Sequence, residues 1–143
     1  MVERTAEAEW RGDLRDGRGV MKLGSGAFEG SYSFGTRFGD EKGTNPEELI
    51  GAAHAGCFSM AFALMVGQAG FTPKRIHTTA KVAIERAGDG FQITRIHLDT
   101  EAAIPGVSRE KFSELAEAAK RDCPVSRALA GPRITLDARL VES

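Results

Sequence analysis

The chain has 143 residues, with 19 basic and 20 acidic side chains and a formal net charge of −1. Both signs are spread along its length, which offers neither a basic groove for nucleic acid nor a polybasic face for an anionic membrane; a small neutral or apolar partner fits better. A chain of this size fits one domain, residues 1–143, which buries roughly two-thirds of its unfolded surface without a disulfide staple.

The opening residues "MVERTAEAEW" are too charged for the apolar centre of a signal peptide and show no arginine-rich transit pattern, so the expected location is cytoplasmic. In that reducing compartment no structural disulfide between Cys57 and Cys123 is expected. Two cysteines also fall short of the four clustered ligands of a structural zinc site. Reversible thiol chemistry and two inert buried thiols both remain open.

From Arg4 to Leu23 the pattern predicts a hairpin turned at Gly12, Asp13, Asp16 and Gly17. The glycine-rich stretch "GSGAFEGSYSFGTRFGDEKG" reads as a loop with one short strand around Tyr32 to Phe38, and it delivers Arg37. A long helix follows with a clear start. Asn45 caps it, Pro46 takes the first position, and Glu48 completes a capping-box pattern. Glu47 and Glu48 suit the positive end of its dipole. The helix is expected to run to about Gln68, where "AGFTP" ends it.

Between Leu49 and Pro73 there is no Asp, Glu, Lys or Arg. About 20 consecutive apolar residues cross a bilayer, but glycines, His54 and Ser59 dilute this run, and no membrane span is expected. The helix reads as buried on nearly all sides. A chain of this length has few elements to cover it, while Gly51, Ala55, Gly56, Ser59 and Ala63 would let a second helix approach closely. The inference is a homodimer with these helices at its centre.

Alternation of Ile76, Thr78, Ala80, Val82 and Ile84 predicts a half-buried strand, returned through "RAGDGFQ" into a second strand from Phe91 to Ala103. The change of parity after Ile93 in that second strand reads as a bulge. Ser108 caps an amphipathic helix with Phe112, Leu115, Ala116 and Ala119 on one stripe. "CPVSRALAG" reads as a short helix, and Ile134, Leu136, Ala138 and Leu140 mark a last strand. The pattern of hairpins and separate helices predicts an α+β fold on antiparallel sheet.

Chemistry concentrates on the thiols. An ordinary cysteine is only about 3% thiolate at pH 7, and burial in an apolar helix makes ionisation harder. A reactive Cys57 therefore needs a cation: at an effective dielectric near 20, a charge about 4 Å away contributes roughly 4 kcal/mol, or about three pKa units before desolvation is subtracted. Arg37 is the candidate, with Glu47 or Glu48 to hold its guanidinium. Ten helical residues, roughly 15 Å, separate Glu47 from Cys57, so an arginine touching both requires a bent helix or a second subunit. A solvated loop charge and an ordinary helix-start acid are the plainer alternatives.

Cys123 precedes Pro124, which places its sulfur at a helix N-terminus where backbone N–H groups stabilise a thiolate; the alternative is a cysteine filling a small hole. His54 lies one turn before Cys57, which raises a Cys-His hydrolase, against a core histidine bonded to a backbone carbonyl. His77 and His97 stand alone. No metal-ligand spacing, phosphate loop or dinucleotide fingerprint is present, so no cofactor or metal is expected.

The motifs "TRFGDEKGTNPEELIGAAHAGCFSMAFAL", "GFTP", "GFQIT", "CPVS" and "ITLD" together resemble the OsmC/Ohr family, the osmotically inducible protein C and organic hydroperoxide resistance proteins. The resemblance runs from about Ala8 to Leu140, and "NPEELIGAAH" with "CPVS" is similar to the OsmC branch. It implies an intertwined homodimer in which antiparallel sheets wrap two long central helices. It further implies a thiol peroxidase reducing organic hydroperoxides and hydrogen peroxide. In that frame Cys57 matches the peroxidatic cysteine, Cys123 the resolving cysteine, and Arg37 and Glu47 the pair that organises the thiolate. A Cys57 sulfenic acid would condense with Cys123 to a disulfide, reduced by an external dithiol such as a lipoylated protein. Phe38, Phe58, Met60, Phe62 and Met65 are candidates for an apolar substrate pocket. Two rivals stand beside this reading: a ligand-binding module at the dimer groove, which needs neither thiol, and the hydrolase, which needs Cys57 and His54 but not Cys123.

Overall fold

The computed structural model describes residues 1–142, in two compact units, Met1–Leu49 and Ile50–Ser143. In the first unit, β1 (Ala6–Arg11), β2 (Arg18–Leu23) and β3 (Glu29–Tyr32) form an antiparallel sheet in chain order. The expected hairpin is present, with Arg11 paired to Arg18 across its turn. The segment after β3 departs from expectation. Where a strand was expected from Tyr32 to Phe38, the chain forms a short helix α1 (Phe34–Phe38) that carries Arg37. Ser33 and Thr36 cause this: the Thr36 N–H donates to the Ser33 hydroxyl at 3.2 Å, and the Ser33 N–H donates to the Thr36 hydroxyl at 2.8 Å. That reciprocal cap nucleates a turn of helix where glycine content alone suggests loop.

Helix α2 (Pro46–Gln68) occupies the range read from the sequence. Asn45 Oδ1 accepts from the Glu48 N–H at 2.8 Å, and Asn45 Nδ2 donates to the Glu48 carboxylate at 3.0 Å, so the pair closes the cap through side chains. Gly70, at φ 92°, turns the chain out of the helix.

The second unit is built on β4 (Arg75–Ala87), β5 (Gly90–Ala103) and β6 (Arg133–Leu140). Gly88 at φ 59° supplies the positive φ needed by the two-residue turn between β4 and β5. The register shifts between Ala83 and Ile84, which pair with Arg95 and Ile93 and leave Thr94 as the extra residue of a bulge. The parity change after Ile93 had located it. Helices α3 (Arg109–Asp122) and α4 (Pro124–Ala128) cross over between β5 and β6. In consequence β6 joins β5 in parallel rather than antiparallel fashion, because a crossover of that length returns the chain in the same direction.

One core holds this unit together. Phe58, Phe62 and Val66 on α2 meet Ile96, Leu98 and Ala102 on β5 and Phe112, Leu115, Ala116 and Ala119 on α3. Phe62 sits between Phe58 and Phe112 at centroid distances of 5.7 and 5.6 Å. His54 lies one turn before Phe58 on the same stripe and is fully buried. The other side of α2 is not covered within the chain: Met60 is 77% and Leu64 60% exposed. The expectation of burial on nearly all sides therefore fails for the single chain, since the elements of one chain cover only one stripe. Although long and apolar enough to cross a membrane, α2 spends that stripe on a protein core.

Replacing Phe62 with alanine is expected to lower unfolding free energy by about 3–5 kcal/mol, and with leucine by about 1–1.5 kcal/mol. Urea unfolding at fixed protein concentration checks this.

Candidate active site

Arg37 and Glu47 meet in the first unit. Arg37 Nε donates to Glu47 Oε1 at 3.0 Å and Nη2 to Oε2 at 2.9 Å, a two-pronged pairing that fixes the guanidinium plane. Glu47 is 7% exposed, so this is no solvated helix-start acid. Its carboxylate has left most of its water, and removing its partner would strand a buried charge. Asn45 Nδ2 also donates to the Thr36 carbonyl at 3.2 Å, tying the cap of α2 back to α1. Arg37 and Phe38 further line an apolar hollow of about 230 Å³ with Trp10, Leu14, Tyr32 and Phe34. Of the pocket candidates read from the sequence, Phe38 lies here. Phe58 and Phe62 belong to the core instead, with no exposed surface.

The two thiols meet in the second unit. Cys57, on α2, is partly exposed, and Cys123, between α3 and α4, is fully buried. Neither is in a disulfide. Cys123 ends one helix and begins another: its N–H donates to Ala119 O at 3.0 Å, and its sulfur accepts from the Ser126 N–H at 3.3 Å. The start of α4 at Val125 bears on both sulfurs, and each thiol bears on the other's ionisation. The opening of α4, with Pro124 at its first position, thus aims a backbone donor at the Cys123 sulfur, as the Cys-Pro step implied.

These contacts divide the pair. Burial pushes the Cys57 thiol above its usual value, the Val125 N–H opposes this, and the neighbouring Cys123 adds to the rise. Burial also opposes ionisation of Cys123, but the Ser126 hydroxyl and N–H, the Cys57 thiol and the Val125 N–H outweigh it and hold Cys123 below the usual value. Two thiols so close titrate as one system. Within the chain the contacts favour a negative charge more at Cys123 than at Cys57.

His54 departs from the sequence reading. Its partner is a side chain, not a backbone carbonyl: Nε2 and Ser126 Oγ share a hydrogen bond of 2.7 Å. Ser126 in turn accepts from the Cys123 S–H at 3.4 Å. The histidine is therefore linked to Cys123, not to Cys57 as a Cys-His hydrolase on α2 would need. Ser126 is the residue the sequence reading passed over. Its signal was present in "CPVS", where a cysteine and a serine three apart have the spacing of a capping pair. Among the described residues no group of three or more His, Cys, Asp or Glu is placed to hold a metal ion.

The chain as a whole has relatives among known proteins. The pattern of the family described as OsmC-like protein matches residues 39–137. The chain belongs to the OsmC-like family. It is 49% identical over 140 residues to the Escherichia coli protein named peroxiredoxin OsmC, covering 97% of each chain. An organic hydroperoxide resistance protein from Xanthomonas axonopodis is 31% identical over 90 residues, covering 62% of this chain and 61% of that one. Among solved structures, the organic hydroperoxide resistance protein of Elizabethkingia anophelis superposes with a TM-score of 0.72 at 28% identity, covering 99% of both chains. An OsmC-like protein of Vibrio cholerae superposes with a TM-score of 0.75 at 15% identity, covering 96% of this chain and 99% of the other, a likeness of fold alone.

In a Cys57→Ser chain, Cys123 is expected to titrate below the usual thiol range, and adding Ser126→Ala should raise it. Thiolate ultraviolet absorbance against pH measures both; a Cys123 titrating at or above the usual value would refute this account of the pair.

Proposed function

We propose that the chain is a cysteine-based hydroperoxide reductase using Cys57 as the peroxidatic and Cys123 as the resolving thiol. The observation that carries the reading is the pair of free thiols brought close enough, at the opening of α4, for each to act on the other's ionisation. A thiolate at Cys57 attacks the outer peroxide oxygen, the O–O bond breaks, and an alcohol or water leaves. The Cys57 sulfenic acid then condenses with the adjacent Cys123 thiol to a disulfide and water, and an external dithiol restores both thiols. The peroxiredoxin and organic hydroperoxide resistance names of the relatives support this chemistry.

Since burial disfavours the Cys57 thiolate, the reading requires a cation at that sulfur in the working protein. Arg37, held flat by Glu47, is assigned that role, and the apolar hollow beside it suits the alkyl part of an organic hydroperoxide. A homodimer accompanies the reading, because the exposed Met60 and Leu64 on α2 leave an apolar face that a second copy would cover. The ligand-binding module is less favoured, as it gives the thiol pair no task. Nor does the hydrolase account for the link between His54 and Cys123.

Peroxide consumption with a dithiol is expected to vanish in Cys57→Ser. In Cys123→Ser it should stop after one turnover, with a trappable sulfenate at Cys57, while Arg37→Lys, which keeps charge but loses the fork, should slow sulfenate formation. Retained turnover in Cys57→Ser sinks the proposal. Leu64→Asp is expected to shift the protein from dimer toward monomer in sedimentation, and a wild-type monomer would refute the dimer.

A further inference from the structure

His54 is placed where an apolar residue would cost less. It continues the stripe of Phe58, Phe62 and Val66, is fully buried, and its Nδ1 has no hydrogen-bond partner. Leaving a buried polar atom unpaired costs on the order of 1–3 kcal/mol, so packing does not explain this imidazole. What it does have is a line of polar atoms toward one thiol. Cys123 Sγ is 3.4 Å from Ser126 Oγ, which is 2.7 Å from His54 Nε2.

We propose that Ser126 and His54 form a buried proton relay for the Cys123 thiol, Ser126 touching the reacting sulfur and His54 acting through it as a positioning residue. The proposal rests on the hydroperoxide-reductase reading above. A serine hydroxyl accepts and donates at once, so the line works in both directions. With Cys123 as a thiol, its S–H donates to Ser126 Oγ and the hydroxyl donates to neutral Nε2. With Cys123 as a thiolate, Nε2–H donates to the hydroxyl and the hydroxyl donates to sulfur. Burial lowers the proton affinity of His54 below the usual imidazole value, so the resting ring is neutral and any proton it takes is held only briefly before it is passed back.

The relay serves the second chemical step. As Cys123 attacks the Cys57 sulfenic acid, its proton passes to Ser126 and the serine proton passes to His54. The S–S bond forms and the S–O bond breaks with its electron pair. The Cys123 sulfur is oxidised and the Cys57 sulfur reduced to the disulfide level, with no further oxidant. The departing hydroxide takes a proton from solvent at the partly exposed Cys57 and leaves as water. When the external dithiol later reduces the disulfide, the line runs backward, returning the His54 proton through Ser126 to the Cys123 thiolate.

The test uses full-length protein mixed with one equivalent of an alkyl hydroperoxide and quenched over time. Mass spectrometry then follows the Cys57 sulfenate and the Cys57–Cys123 disulfide separately. In His54→Gln and Ser126→Ala, disulfide formation is expected to slow about 100-fold relative to sulfenate formation. Ser126→Thr, which keeps the hydroxyl, should restore most of it. Disulfide formation at the wild-type rate in both variants overturns the relay, as does slowing that Ser126→Thr fails to rescue. A wild-type chain that never forms a Cys57 sulfenate overturns the reductase reading itself, a result distinct from either.

Discussion

Two thiols near enough to act on one another's ionisation titrate as one system, and charge on either opposes charge on the other. That constraint organises the second unit. The start of α4 favours negative charge in the pair, and within the chain it favours Cys123, whose sulfur accepts from the Ser126 N–H. Cys57 has the more open position but the poorer electrostatics. Access and charge are thus divided between the two sulfurs, and under the proposed function a cation at Cys57 is what would tip the balance.

The rest of the fold keeps that pair in register. The core of Phe58, Phe62, Ile96, Leu98 and Phe112 fixes α2 and α3 against β5. Cys123, as the corner between α3 and α4, is positioned by both helices at once. In the first unit the same economy holds on a smaller scale. The Ser33–Thr36 cap makes the turn that carries Arg37, and Asn45 both caps α2 and bonds the Thr36 carbonyl. The pairing of Arg37 with Glu47 therefore rests on local backbone geometry rather than on long flexible side chains finding each other.

Much of this was legible in the sequence because local chemistry dictated it. The Asn45-Pro46 start of α2, the bulge after Ile93, the Ser108 cap and the Cys123-Pro124 step all follow from the conformational demands of single residues. The parts that were not legible depend on contacts distant along the chain. Arrival of β6 parallel to β5 follows from the length of the α3–α4 crossover, which alternation within β6 does not encode. The His54 partner could not be read from α2, since Ser126 lies 72 residues away. Helix α1 was missed for a different reason: glycines on either side masked a two-residue cap. The half-covered state of α2 was hidden as well, because an apolar sequence does not say whether its cover comes from the same chain.

The parallel last strand also bears on how the protein comes into being. Cys57 belongs to the middle of the chain, whereas the segment that brings Cys123 to it is anchored by β6, which ends at Leu140. A ribosome adding about 5–20 residues per second needs roughly 4–17 s to travel from one to the other, and non-local strand pairing is slow to follow. Throughout that interval Cys57 is an unpartnered thiol on a nascent helix, lacking the Val125 donor and the neighbouring sulfur. The pair as a unit therefore exists only once the last strand is in place, and until then a Cys57 that is oxidised has no neighbouring thiol with which to condense.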